Sequence, residues 1–129
     1  MENDNYIPKH KFDFETVERI RYADPDTIKP VLPYIFEWIE DINWPIAQEL
    51  AKVLVKFDDL VIPIIKDLIH RPDGLREYSV YFFMLKLLTG KQLILLKDEL
   101  ERVVYYPSQF ESQEGYPEIV EKYLQKIKR

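Results

Sequence analysis

Leu32-Pro33-Tyr34-Ile35-Phe36-Glu37-Trp38-Ile39 and Ile62-Pro63-Ile64-Ile65-Lys66-Asp67-Leu68-Ile69 share one pattern of apolar residues and proline, offset by about thirty residues. Each is followed by a short polar turn and a second apolar-rich stretch with helical spacing. A helix, a turn and a helix recurring at that period mark stacked helical pairs, where each pair buries its apolar face only against its neighbours. Upstream, Asp13 is placed to cap a short first helix whose apolar face is Phe14, Val17 and Ile20. Asp24-Pro25 is a second helix start, after which Ile28, Val31, Leu32, Ile35, Phe36 and Ile39 follow the three–four spacing. Pro30 and Pro33 fall inside that span and each removes a donor. A turn or kinked first turn is therefore expected over 27–29, with the main helix beginning near Pro30.

Asp41-Ile42-Asn43-Trp44-Pro45 breaks this helix, and Pro45 opens the next, with Ala47, Leu50, Ala51, Leu54 and Phe57 inward and Gln48, Glu49, Lys52 and Lys56 opposite. Asp58-Asp59 starts another helix with a stripe of Leu60, Val61, Ile64, Ile65, Leu68 and Ile69, which ends at the turn Arg71-Pro72-Asp73-Gly74. The stretch from Tyr78 to Leu88 is apolar nearly all round apart from Ser79 and Lys86, and is expected to be the most buried, central helix. A further helix runs from Gly90 to about Tyr105 with Leu93, Leu96, Leu100 and Val103 inward. Residues 107–116 show no period and read as the one long loop, before a last helix over 117–128. Nothing alternates with period two for long enough to form a sheet. The expected fold is all-α, a short HEAT-like α–α superhelix of stacked antiparallel helix pairs. It is read as a single domain over 1–129, with a polar segment over 1–12 and neighbouring pairs near 30–56 and 59–88.

Composition narrows the function classes. With 129 residues, 47% hydrophobic and 32% charged, the chain has the balance of a folded domain rather than a disordered one. Net charge is −5, from 18 basic and 23 acidic residues that are well interspersed. A nucleic-acid groove needs clustered cations. The nearest cluster is Lys122, Lys126, Lys128 and Arg129, at a helix end where the dipole favours cations anyway. Neither nucleic acid nor a membrane surface is an expected partner. There is no cysteine, hence no disulfide and no thiolate metal site. The polar start Met1-Glu2-Asn3-Asp4-Asn5 carries no secretory signal, and a cytoplasmic location is expected.

No catalytic, metal or nucleotide motif rises above background, and no catalytic residue, metal or cofactor is expected. His10 and His70 are isolated from each other and from ligand spacing. The three glycines are never grouped into a phosphate loop. Asp98, Glu99 and Glu101, like Glu37, Glu40 and Asp41, read as solvated faces. The most distinctive short segment is the turn holding Asp41, Asn43 and Trp44, with Tyr34 and Trp38 a little upstream. Two readings fit it. Aromatic anchors flanked by polar groups dominate many interfaces, which makes these five residues a candidate partner-binding patch. In the other reading, which the frequency of caps and turn residues at such positions favours, Trp44 packs under the turn, Asp41 or Asn43 caps it, and Trp38 closes the core. Arg71 and Asp73, in the next inner turn, are read as a salt bridge or cap.

The string Leu32-Pro33, Trp38-Ile39, Asp41, Asn43-Trp44-Pro45 and Ala47, followed by Ile62-Pro63, resembles a small bacterial family of unknown function whose members are single domains of HEAT-like helical pairs. The resemblance covers roughly His10 to Val104 and implies the fold and a bacterial, cytosolic setting, without an activity or site residues. HEAT-like proteins are mostly binding scaffolds. One branch excises alkylated bases from DNA through a positively charged groove, which this acidic chain lacks. The expected function is a non-enzymatic protein-interaction module with another protein as partner, one form being an acidic inhibitor or immunity-type protein that neutralises a basic target. The alternative is an enzyme with a site in the concave groove, which a buried, pKa-shifted carboxylate would favour. Should the tryptophan turn prove only a capped turn, partner contact is next expected at groove-lining residues near Gln48, Lys52 and Arg76.

Overall fold

The computed structural model describes residues 5–70 and 78–128, and all regular structure among them is helical. The chain divides into two compact units, Met1–Ile64 and Ile65–Arg129. The expected turn at Arg71-Pro72-Asp73-Gly74, and Arg76 beyond it, lie outside the described residues.

In the first unit, helix α1 (Phe14–Arg21) starts where Asp13 predicts it. One carboxylate oxygen of Asp13 accepts from the Thr16 backbone N–H at 3.1 Å, and the other from the Thr16 hydroxyl at 2.7 Å and the Lys9 N–H at 3.0 Å. The buried face is Thr16, Val17 and Ile20. Because that face centres on Thr16 and Val17, Phe14 falls on its flank and is exposed rather than inward.

The segment after Pro25 departs from the single helix expected from Pro30. It is built of α2 (Pro25–Ile28), a 3-10 turn (Lys29–Val31), α3 (Leu32–Phe36) and a second 3-10 turn (Glu37–Ile39). Pro30 and Pro33 cannot donate to the helical ladder, so the backbone tightens through short pieces rather than holding one α-helix. The three–four spacing survives: Ile28, Val31, Leu32, Ile35, Phe36 and Ile39 are all buried. Helix α4 (Ala47–Leu54) buries Ala47, Leu50, Ala51 and Leu54, as its stripe requires, and also Val53. It packs against α1 and the second 3-10 turn, with Arg21 Nη2 3.9 Å from Glu49 Oε2 at the edge. Helix α5 (Asp58–His70) carries Pro63 inside it; its first half, with buried Val61 and Ile62, belongs to the first unit, and its residues from Ile65 on, with buried Ile65 and Ile69, to the second.

In the second unit, the stretch expected to be uniformly buried contains a π-helical turn (Val80–Met84) leading into α6 (Leu85–Leu87). Tyr81, Met84 and Leu85 are fully covered, but Phe82 is 39% exposed. A helix has one face turned away from its neighbours whatever its composition, and Phe82 with Lys86 occupies it here. Helix α7 (Gly90–Ile94) is closed by a reciprocal capping box between Thr89 and Gln92. After a turn, α8 (Lys97–Tyr105) follows, and Leu93, Leu96, Leu100 and Val103 are all fully buried, as their spacing predicts.

Residues 107–116 are not one loop. They hold a short helix α9 (Gln109–Gln113), started by a second capping box between Ser108 and Glu111. Gly115, at φ +76°, ends α9 and its N–H donates to the Ser112 carbonyl at 3.2 Å, a left-handed position that favours glycine. Helix α10 (Tyr116–Lys128) then packs on α8, α7 and the π-helical turn through Tyr116, Val120 and Leu124. No described helix is long and apolar enough to cross a membrane.

Candidate functional site

The tryptophan turn of the first unit is built by local hydrogen bonds. Asp41 Oδ1 accepts from the Asn43 N–H at 2.9 Å, an Asx-type turn, and the Asp41 carbonyl accepts from the Trp44 N–H at 3.0 Å. The Trp44 carbonyl in turn accepts from the Ala47 N–H at 2.9 Å, so the turn runs directly into α4. The Ile46 N–H donates to the Lys11 carbonyl at 3.1 Å, tying the start of α4 to the chain before α1. This closure folds Trp44 back onto Trp38, with ring centroids 5.5 Å apart and planes tilted by 54°. Ile39 and Ile42 are buried, while both indoles stay half-buried.

Asp41, Asn43 and Trp44 thus share one turn, Trp38 joins them from the preceding 3-10 turn through its ring contact with Trp44, and Tyr34 lies one helical turn earlier on α3, with 55% of its surface in solvent. Asn43 and Glu37 are exposed and Asp41 is half-buried, so the aromatic pair carries a polar, acidic surround. Asp41 is committed to the turn through its Oδ1. The two indoles and Tyr34 are the groups with apolar surface left to offer.

The second unit places its charges differently from the sequence reading. Glu99, expected on a solvated face, is 9% exposed, and its Oε1 lies 3.4 Å from His70 Nε2. Asp98 is exposed and Glu101 half-buried. Glu111 is completely buried and accepts from Arg102 through both oxygens, at 2.6 and 2.9 Å, while Arg102 Nη2 also reaches the Ile69 carbonyl near the end of α5 at 3.1 Å. This bidentate pair locks α9 to α8 and to the last turn of α5. In the first unit, His10 Nδ1 accepts from the Phe12 N–H at 3.2 Å, a turn role. Among the described residues no group of histidine and carboxylates is arranged to hold a metal ion.

One feature escaped the sequence reading. Between the π-helical turn, α6 and α10 lies a pocket of about 340 Å³. Tyr81 forms its floor, Phe82, Ile119 and Tyr123 its walls, and Lys86, Lys122 and Lys126 its charged rim. The Tyr123 hydroxyl donates to the Tyr81 carbonyl at 3.3 Å, and burial pushes the pKa of this phenol above its ordinary value. The signals were present separately: Lys86 interrupts an apolar stretch, and Lys122 and Lys126 are four apart on one helix face. Only the fold brings them together.

The profile of a family described as a domain of unknown function, DUF5071, matches residues 6–124, and the chain belongs to that family. The matched span contains the whole tryptophan turn and every pocket residue except Lys126. No curated protein matches the sequence.

Proposed function

We propose that this DUF5071-family chain is a non-enzymatic protein-interaction module whose contact surface includes Tyr34, Trp38, Asp41, Asn43 and Trp44. The observation that carries the reading is the half-buried Trp38–Trp44 pair, held at 5.5 Å by a hydrogen-bonded turn. A tryptophan serving only the core would be covered. One that keeps part of its ring in water, in a fixed orientation, loses little side-chain freedom when a partner covers it. Tryptophans and tyrosines in such positions are the side chains that dominate interface energetics, each worth about 2 kcal/mol or more when truncated. The acidic surround of Glu37 and Asp41 selects a basic partner, which fits an inhibitor- or immunity-type role for a chain of net charge −5. The recurrence of the Pro-apolar pattern supports reading the helices as HEAT-like stacked pairs, and a chain free of cysteine suits the bacterial cytosol.

The test places a photo-crosslinking benzoylphenylalanine at Tyr34 and, as control, at the exposed Glu15, followed by irradiation in the native host. A dominant adduct from position 34, absent from position 15 and lost in Trp44→Ala and in Asn43→Arg, is the expected result. Asn43 is exposed, so the arginine variant keeps the fold while cancelling half of the negative charge of Glu37 and Asp41. No adduct at position 34, or one that survives both variants, would overturn the reading.

A further inference from the structure

We propose that the pocket rimmed by Lys86, Lys122 and Lys126 binds a small free aromatic anion of the aryl phosphate kind. This site does not depend on the tryptophan turn. Its first support is charge. Among the described residues none of the three lysines has a carboxylate partner, and none of the described residues that line the pocket is acidic. Glu118 and Glu121, on the same helix as Lys122 and Lys126, are exposed and stand outside the lining. In a chain whose acidic residues outnumber basic ones by 23 to 18, three lysines lining one pocket, without an ion-pair partner among the described residues, are a local reversal of the field. A helix dipole favours cations at Lys126 and Lys86, in the last turns of α10 and α6, but not at Lys122, which lies in the middle of α10.

The second support is placement. Lys126 Nζ sits over the ring of the wall residue Tyr123 at 5.5 Å, a cation–π contact that holds this charge at the rim, while Lys86 Nζ sits over the neighbouring Phe83 ring at 4.8 Å. The third is the walls. Phe82 stacks on Tyr78 with centroids 4.4 Å apart and is backed edge-on by Tyr116 at 6.3 Å, while the Tyr123 ring is fixed by its hydroxyl bond to the Tyr81 carbonyl. Oriented aromatic walls suit a flat ring. Burial raises the pKa of Tyr123 further above the ordinary phenol value of 10.0, so this phenol adds no negative charge to the pocket. At about 340 Å³ the space lies at the small end for ligand sites and holds one ring with its anionic head. Three cations favour a doubly charged phosphate over a single carboxylate.

The probe is phenyl phosphate, titrated into the full-length ¹⁵N-labelled chain and followed by amide shifts, with inorganic phosphate, phenol and a phosphotyrosine pentapeptide as comparisons. Saturable shifts at the amides of residues 81–86 and 119–126, tighter than for either fragment and weakened by salt, are expected. Lys86→Gln and Lys122→Gln should each weaken binding about two- to fivefold and together about tenfold, as for partly exposed charges, while Lys56→Gln leaves it unchanged. The variants' own spectra report that they fold. Absence of saturable shifts, equal binding of inorganic phosphate or of phenol, or insensitivity to both pocket lysines would overturn the site. Binding of the pentapeptide about tenfold tighter than phenyl phosphate would overturn its assignment to a free small molecule.

Discussion

Replacing Glu111 by alanine should be among the most damaging single changes in the second unit. Its carboxylate is completely buried and takes two hydrogen bonds from Arg102, at 2.6 and 2.9 Å, and one from the Ser108 N–H at 2.8 Å. Breaking a buried ion pair costs about 3–5 kcal/mol, because the surviving charge loses its partner without regaining water. Here the Arg102 side chain is 33% exposed and keeps its bond to the Ile69 carbonyl, so part of that penalty is relieved. Loss of the capping box adds about 1 kcal/mol. The net expectation for Glu111→Ala is a loss of about 3 kcal/mol, against about 1 kcal/mol for Ser108→Ala, which removes only the cap. For a chain of this length each kcal/mol lowers the midpoint by about 3–5 °C, so the two variants should separate clearly in thermal unfolding followed by circular dichroism. Equal midpoints for the two would show that the Arg102 pair contributes nothing. A Glu111→Ala midpoint within about 2 °C of the parent would refute the whole network.

Two further perturbations test the packing and the first cap. Met84→Ala, fully buried, should cost about 3–5 kcal/mol in denaturant unfolding, whereas Phe82→Ala, 39% exposed and packed only on one side against Tyr78 and Tyr116, should cost about 1–2 kcal/mol; equal losses would contradict the register. Asp13 is partly desolvated, which alone would raise its pKa, but its bonds from Thr16 and Lys9 outweigh burial and hold it below the ordinary value of 3.8. Its contribution is therefore full above the unfolded-state value and is lost as pH falls through the lower folded-state value. Asp13→Asn should lose about 1 kcal/mol at pH 7, with the gap to the parent closing below about pH 4; a gap unchanged down to pH 2 would contradict the assignment.

Much of the fold was legible because it rests on local chemistry. Asp13 capped α1 as its position predicts, and the apolar spacing over 28–39 and 93–103 named the buried residues even where the backbone broke into shorter pieces. What the spacing could not show was pitch. Proline-bearing 3-10 turns and a π-helical turn keep a segment helical while changing the residues per turn, which is why one long helix was expected near Pro30 and Phe82 was expected inside. Helix α9 was missed for another reason. Its Ser108-Gln109-Phe110-Glu111 start is a capping-box signature, but five residues are too few to display an apolar period. Its anchor is a charge, Glu111, whose burial depends on Arg102 nine residues away. Glu99 likewise looked solvated until the fold laid it beside His70. The tryptophan turn was legible as a cluster because its members lie within a few residues. The lysine pocket joins α6 to α10, and sequence order conceals such a pairing.

The chain has two tryptophans and both belong to the proposed contact patch, so its indole emission reports on that patch alone. The most direct test is iodide quenching of this emission in the free protein and again in the complex with the protein captured by the crosslinker at Tyr34. Emission that iodide quenches in the free chain, and that becomes protected in the complex, is what the account predicts. Indoles already shielded from iodide in the free chain, or equally quenched with the partner bound, would reduce the turn to a capped connection between helices.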